Sequence, residues 1–427
     1  MASESIDIGI KSAYRAELGS PDVAKVPRGP IDVPLLAVVL ALTGFGLVMI
    51  YSASSVVAGS RFDNPNYFLH RQLTGVAAGV VGMCITMRID YRWYRRLVYP
   101  LLIVSMLLMA LVLVPGIGVK VGVARRWLQF AGMRFQPVEL AKIAVCAYLA
   151  YSISKKDTTG MRSFTLAFIP HLAVVGAVVA MLVLQPDYGS AAIMMAILGV
   201  MLFVGGTRVG YLGAFLFSGI FLAWEAVKSS PYHMERVTVF LNPESHRADA
   251  GWQLTESFIA LGSGGLNGLG LGRGHLKLGF VPELWNDFIA TIIGHELGLW
   301  GLCSVAVLFL VFFWRGTRIA FFAKDRFGAY LAFGITTLIA LQAGINLGVV
   351  TGLLPTKGLT LPFISYGRSS IVLCLCAVGI LLNISQRNED FWEETQELKE
   401  KERVRRELDM RRQRLAANRE ALKGKRL

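Results

Sequence analysis

The chain has 427 residues, 54% of them hydrophobic and 17% charged, and its mean hydropathy is +0.53. That balance excludes a soluble globule and fits a polytopic membrane protein. The formal net charge of +14 comes without basic patches interleaved with aromatic residues, so it reads as basic loops and a charged tail rather than as a nucleic-acid surface.

Residues 1–31 are polar and carry Pro21, Pro27 and Pro30. They read as a disordered cytoplasmic leader, not a cleavable signal peptide, because no small-residue cleavage site follows the first apolar run. About ten runs are then long and apolar enough to span a bilayer: 32–54, 70–89, 96–115, 137–153, 164–184, 188–205, 209–228, 288–314, 328–350 and 364–384. The expected architecture is an all-α polytopic membrane protein. A membrane domain over 32–385 carries a large outer loop, about 229–287, between helices seven and eight. A charged tail, 386–427, follows it.

An even number of spans puts both termini on one side. Arg88, Arg92, Arg95 and Arg96 follow the second run, Lys155, Lys156 and Arg162 the fourth, and Arg315, Arg318, Lys324 and Arg326 the eighth. Basic loops mark the cytoplasmic side, so both termini are expected there. One loop breaks the bias, since Lys120, Arg125, Arg126 and Arg134 fall on the outer side and read as an anion site. In the large outer loop, Gln253, Glu256 and Phe258 predict a short amphipathic piece lying on the membrane surface, followed by a glycine-rich stretch. The five cysteines all lie in apolar runs and have neither zinc nor disulfide spacing. In the tail, Leu408, Leu415 and Leu422 recur every seven residues, too few for a coiled coil.

The outer-facing polar residues define the chemistry. They include Arg125, Arg126, Glu139 and Lys142, then Arg273, Lys277, Glu283 and Asp287, and finally Lys357, Ser365 and Ser369. Glu139 and Lys142 share a helix face and can pair. Glu283 and Asp287 would share a face if the eighth helix began early. Cations with a few carboxylates at the outer surface suit an anionic substrate with a lipid part, such as a diphosphate-linked lipid. One carboxylate serves as base on an incoming hydroxyl, while cations or Mg²⁺ stabilise the departing diphosphate. The same set would suit a transporter of an anionic solute.

Ordered motifs narrow the reading. ARRWL at 124–128, QPVELAK at 136–142, QPDYGSA at 185–191 and RVTVFLNP at 236–243 are followed by GWQLTESFIALGSGGLNGLGLG at 251–272. KLGFVPELWNDFIATIIGHELG at 277–298 and NLGVVTGLLPTKGLTLPFISYGRSS at 346–370 complete the set. From about Val33 to Asn383 the chain resembles the SEDS family (shape, elongation, division and sporulation). PTKGLTLPFISYG, with Lys357 and Thr360, is more similar to the division (FtsW) type than to the elongation (RodA) type. The resemblance implies a polymerase of peptidoglycan glycan strands at the outer face of the bacterial cytoplasmic membrane, at the division septum. It implies lipid II as substrate and a class B penicillin-binding protein, a monofunctional transpeptidase, as partner among other division proteins. Asp287 matches the family's essential aspartate and would be the catalytic base. Arg125, Lys142, Lys277 and Lys357 would hold the diphosphate or shape the cavity. Mg²⁺ or another divalent cation is the one cofactor expected, with no organic cofactor, no protein-bound metal site and no nucleic acid.

Four positions depart from the family pattern. Val138 stands for Ser, Asn286 for Thr, His295 for Glu and Arg368 for Gly. As the eighth residue beyond Asp287, His295 is expected about two turns deeper in the same helix. The alternatives are a lipid II flippase, which would need polar groups along the whole path, and a non-catalytic division scaffold, which would have no need of Asp287.

Overall fold

The structure is a computed structural model. It describes residues 29–387 apart from 122–123, 131–132, 229–230, 244, 246–250, 275–283 and 357. Every one of the ten apolar runs carries a helix. They are α1 (Val33–Phe62), α2 (Tyr67–Arg88), α3 (Tyr94–Leu113), α4 (Pro137–Ser154), α5 (Ile169–Leu184), α6 (Tyr188–Val204) and α7 (Val209–Lys228). After α8 (Pro231–Leu241) and α9 (Trp252–Gly264) come α10 (Ile289–Phe321), α11 (Arg326–Val350) and α12 (Arg368–Gln386). Seven helical stretches, those of α1, α2, α3, α5, α10, α11 and α12, are long and apolar enough to cross a membrane by length and composition. The leader through Arg28 and the tail from Asn388, with its leucine heptad, lie outside the described residues.

The ends of these helices are set by local chemistry. Asp32 caps α1 by accepting from the Leu35 amide at 2.9 Å, with Pro34 in the first turn. Asp187 caps α6 through the Ser190 amide, and Pro137 opens α4. The centre of the bundle is α4, buried at nearly every position and packed against α3, α11 and α6.

The all-α expectation describes the membrane body, but a small sheet is added between α3 and α4. Strands β1 (Gly118–Val121), β2 (Ala124–Phe130) and β3 (Met133–Phe135) form an antiparallel meander in that order. Lys120 pairs with Arg125 and Val119 with Trp127, with an irregularity between Val119 and Lys120. Strands this short lack the periodic signal that a longer element leaves in sequence.

Contacts along α1 give the heights of the other elements. Asp32 at its start bonds Arg315, with 2.7 Å from Nη2 to Oδ2. Ser52 donates to Glu296 at 2.7 and 2.8 Å. At ~1.5 Å per residue these two levels stand about 30 Å apart, the thickness of a bilayer's hydrocarbon core. The lower level also holds the Asp90–Arg387 and Arg95–Asp325 pairs and forms the basic end of the bundle. Along α11, Asn346 stands about 30 Å above Arg326 by the same reckoning, and it donates to the Asp287 carbonyl. Ile364, packed on Gly46 of α1, is followed by Ser365, which bonds the Asn286 carbonyl, so the Asp287 turn lies no farther from the basic end than Glu296 does.

The expected descent of the chain from Asp287 to His295 is corrected accordingly. The reason is Gly298, whose φ of 67° and ψ of −162° break α10 into 289–297 and 299–321, so that the two parts do not share an axis and Arg315, in the second, reaches the Asp32 level. The break is filled by the glycine-rich stretch after α9. The amides of Leu269 and Gly270 donate to the His295 and Glu296 carbonyls at 3.1 and 2.9 Å, and Leu299 donates to Gly265 at 2.9 Å. The expected amphipathic piece is α9, and it packs on the 289–297 part of α10. Ser257 meets Thr291 at 2.6 Å between hydroxyl oxygens, and Leu254, Ala260 and Gly264 are buried.

A side chain at Gly298 would bring Cβ to 2.3 Å from the Leu266 carbonyl oxygen in a backbone region that favours glycine. Gly298→Ala is expected to cost about 1–3 kcal/mol or more, read as a lower thermal midpoint in detergent. Gly262→Ala, in α9 where a Cβ would meet no atom within 4 Å, is expected to leave the midpoint unchanged or raise it.

Candidate active site

Asp287 lies in the turn 284–288 that precedes α10, not inside a helix. Leu284, Trp285 and Phe288 of this turn are buried, while Asn286 and Asp287 are half-buried. The turn is thus held by its apolar residues and presents its polar ones. Trp285 stacks obliquely on Phe68 at 4.7 Å between ring centroids.

The opposite wall is the non-helical stretch 355–367 between α11 and α12. It dips into the bundle. Leu359, Leu361, Phe363 and Ile364 are buried, and a Cβ on Gly46 of α1 would stand 2.6 Å from Ile364 Cα. Ser365 ties this wall to the turn. Its hydroxyl donates to the Asn286 carbonyl at 2.6 Å and accepts from the Leu361 amide at 2.8 Å. The Tyr366 amide donates to the Trp285 carbonyl at 2.9 Å. Gln72 of α2 closes the far side, accepting from the Gly367 amide at 3.1 Å.

Below this seat lies a buried ion pair. Lys142 and Glu139, on successive turns of α4, meet at 2.8 Å with both side chains within the core. Lys142 also donates to Gln342 Oε1 at 3.1 Å, and Ser370 donates to the other Glu139 oxygen at 3.4 Å. Gln342 in turn donates to the Thr360 carbonyl at 3.0 Å. One hydrogen-bonded chain therefore runs from α4 through α11 to the wall facing Asp287.

The remaining expected site residues are spread more widely. Arg126 of β2 reaches the corner between α5 and α6, donating to the Gln185 carbonyl at 3.3 Å and to the Pro186 carbonyl, with Asp187 at 3.9 Å. Arg125 is half-buried opposite Lys120. Arg273 is exposed in the turn that ends the glycine-rich stretch. Ser369 is buried in the first turn of α12. Lys277, Glu283 and Lys357 lie outside the described residues, so the expected shared face of Glu283 and Asp287 does too; the helix itself starts only at Ile289. Of the four departures from the family pattern, Val138 and His295 are buried, Arg368 is half-buried, and Asn286 offers the carbonyl that Ser365 holds.

Sequence reasoning missed Gln342 and Asn346. The signal was present: two carboxamides four residues apart in an otherwise apolar helix share a face and must find partners. Among the described residues no group of three His, Cys, Asp or Glu side chains is placed to hold a metal ion.

Three kinds of likeness bear on this arrangement. The family model of the FtsW, RodA and SpoVE cell cycle proteins matches residues 33–390. The probable peptidoglycan glycosyltransferase FtsW of Trichlorobacter lovleyi is 47% identical over 83% of this chain and 93% of its own length. Stage V sporulation protein E of Bacillus subtilis is 40% identical over 83% of this chain and 97% of its own. A chain solved in a peptidoglycan synthase complex that coordinates polymerization and crosslinking superposes with a TM-score of 0.70 at 27% identity, covering 84% of this chain and 98% of that one. The rod shape determining protein RodA of Thermus thermophilus gives 0.62 at 25% identity, covering 86% and 99%.

Breaking a buried pair strands a charge. Lys142→Met is expected to destabilise by about 3–5 kcal/mol, and the double variant with Glu139→Gln to recover part of that loss. Thermal unfolding in detergent, with Glu139→Gln alone measured beside them, checks this; a double variant whose loss is the sum of the two single losses would mean that the two charges do not depend on each other.

Proposed function

The chain belongs to the FtsW, RodA and SpoVE family of cell cycle proteins, and from that membership we propose that it is a division-type peptidoglycan glycosyltransferase that polymerises glycan strands from lipid II. The observation that carries the chemistry is the placement of Asp287. A carboxylate held in a clamped turn stands toward the end of the bundle opposite the basic loops, most of the length of α11 away from Arg326.

In this reading the growing strand is the donor, linked through its anomeric carbon to undecaprenyl diphosphate, and lipid II is the acceptor. The Asp287 carboxylate takes the proton of the acceptor sugar's hydroxyl. The oxygen attacks the anomeric carbon from the face opposite the diphosphate. The carbon–oxygen bond to the diphosphate breaks, and the leaving group departs with the electron pair and needs no proton. Attack from the opposite face inverts the centre and gives a β-1,4 link. Arg125, Arg273, Lys277 and Lys357 are proposed to hold phosphate oxygens, with Glu283, Ser369 and Arg126 at the margin of the substrate path. The buried Glu139–Lys142 pair and Ser365 support the walls of the seat. Mg²⁺ or another divalent cation would be held by the diphosphate itself and would stabilise the departing charge.

The chain is a multi-pass membrane protein. Its basic loops support placing the basic end, and with it both termini, on the cytoplasmic side, and the Asp287 end outside at the septum. A class B penicillin-binding protein is the proposed partner, since the chain resembles a subunit of a synthase complex that joins polymerization to crosslinking.

Purified protein with its transpeptidase partner, given labelled lipid II, is expected to make long glycan strands. Asp287→Asn should lose on the order of 10²–10⁴-fold in rate. Strands of equal yield from both proteins would remove Asp287 from the chemistry, and none from either would favour flipping or scaffolding. A charged thiol reagent added outside cells is expected to label Ser245→Cys and not Asp157→Cys; the reverse pattern would invert the orientation.

A further inference from the structure

Asp287 precedes the first turn of α10, so no helical hydrogen-bond ladder fixes it. We propose that Asn346 of α11 is the positioning residue for this base, because its single carboxamide binds both walls of the carboxylate's seat. The inference rests on the reading of Asp287 as the catalytic base.

Asn346 is 2% exposed. Its Nδ2 donates to the Asp287 carbonyl at 2.9 Å and to the Leu359 carbonyl at 2.6 Å. Both partners are acceptors, so the orientation of the amide is fixed by them and not by choice. The two hydrogens of a planar amide diverge at a fixed angle, which sets the separation of the two carbonyls. Leu359 follows Gly358, and Gly358 is where the Asp287 carboxylate rests. A Cβ at that glycine would stand 2.9 Å from Asp287 Oδ2. One side chain thus fixes the backbone that carries the base and the backbone that the base lies against.

The Oδ1 of Asn346 is buried and has no hydrogen-bond partner among the described residues. An unsatisfied buried acceptor is a cost that native proteins tolerate where the rest of the group is needed. Gln342 repeats the arrangement one turn away. Its Nε2 donates to the Thr360 carbonyl, the next one along the same wall, and its Oε1 accepts from Lys142. The wall is therefore pinned at two successive carbonyls, of which only the Asn346 site reaches the base.

A base must sit within hydrogen-bond reach of the hydroxyl, and displacement by ~1 Å costs about 10²-fold in rate. Asn346→Ala is expected to lower kcat on lipid II by about that factor while KM stays near the wild-type value. Gly358→Ala keeps both Asn346 bonds but fills the space of the carboxylate, and should give the same split. A kcat preserved in Asn346→Ala would overturn the proposal. So would KM, kcat and thermal midpoint all worsening together, which would mark a packing role. The second measurement needs no activity. Asp287→Cys, with and without Asn346→Ala, is timed for reaction with a charged thiol reagent, using the unsubstituted protein as background for the native cysteines. Faster labelling in the double variant is expected, and equal rates would overturn the proposal. If the wild type with its partner polymerises nothing, the glycosyltransferase reading fails, and the labelling rates still decide whether Asn346 positions residue 287.

Discussion

Non-helical backbone at membrane depth survives only where the protein answers its carbonyls and amides itself. The stretch 355–367 obeys that constraint, and the site depends on it. Its Leu359 and Thr360 carbonyls are taken by Asn346 and Gln342. The Ser365 hydroxyl accepts from the Leu361 amide, Gln72 accepts from the Gly367 amide, and Trp285 accepts from the Tyr366 amide. With these groups satisfied, the stretch can press its apolar side chains against α1 and leave Gly358 beside Asp287. The irregular backbone is what lets a carboxylate stand between two walls instead of along one helix.

The ion pair on α4 follows from the same economy. That helix is enclosed almost completely, so the ammonium of Lys142 has no route to water and must be met where it lies. Glu139, Gln342 and Ser370 meet it or its partner, and the pair contributes no net charge to the core. Its link through Gln342 to Thr360 makes α4 part of the frame around Asp287. Arg273, by contrast, is exposed to solvent.

Much of this was legible in the amino-acid order. The apolar runs at 32–54 and 328–350 led directly to α1 and α11, because about twenty apolar residues leave little else to form. Asp287 stood out because ionisable residues at a membrane boundary are costly, and the motif around it is what implies a role as base. The turn of α10 at Gly298 was not legible. Gly298 lies inside an apolar run without a proline to mark a break, and the glycine-rich stretch of 265–272 that fills the gap lies well before it in sequence. The role of Asn346 was hidden for a related reason. A carboxamide announces that partners exist, but both of its partners are main-chain carbonyls, which leave no mark on the sequence. The sheet escaped because three to seven residues per strand is too short a pattern beside twenty-residue helices.

Beyond the corner at Gly298, α10 presents Leu299, Trp300, Val307, Leu310 and Trp314 to the outside of the bundle, while Ile289 to Glu296 are buried. One helix therefore divides at a single glycine into an apolar outward-facing length and an enclosed length that leads to the Asp287 turn. The bilayer bears on the first and the protein interior on the second.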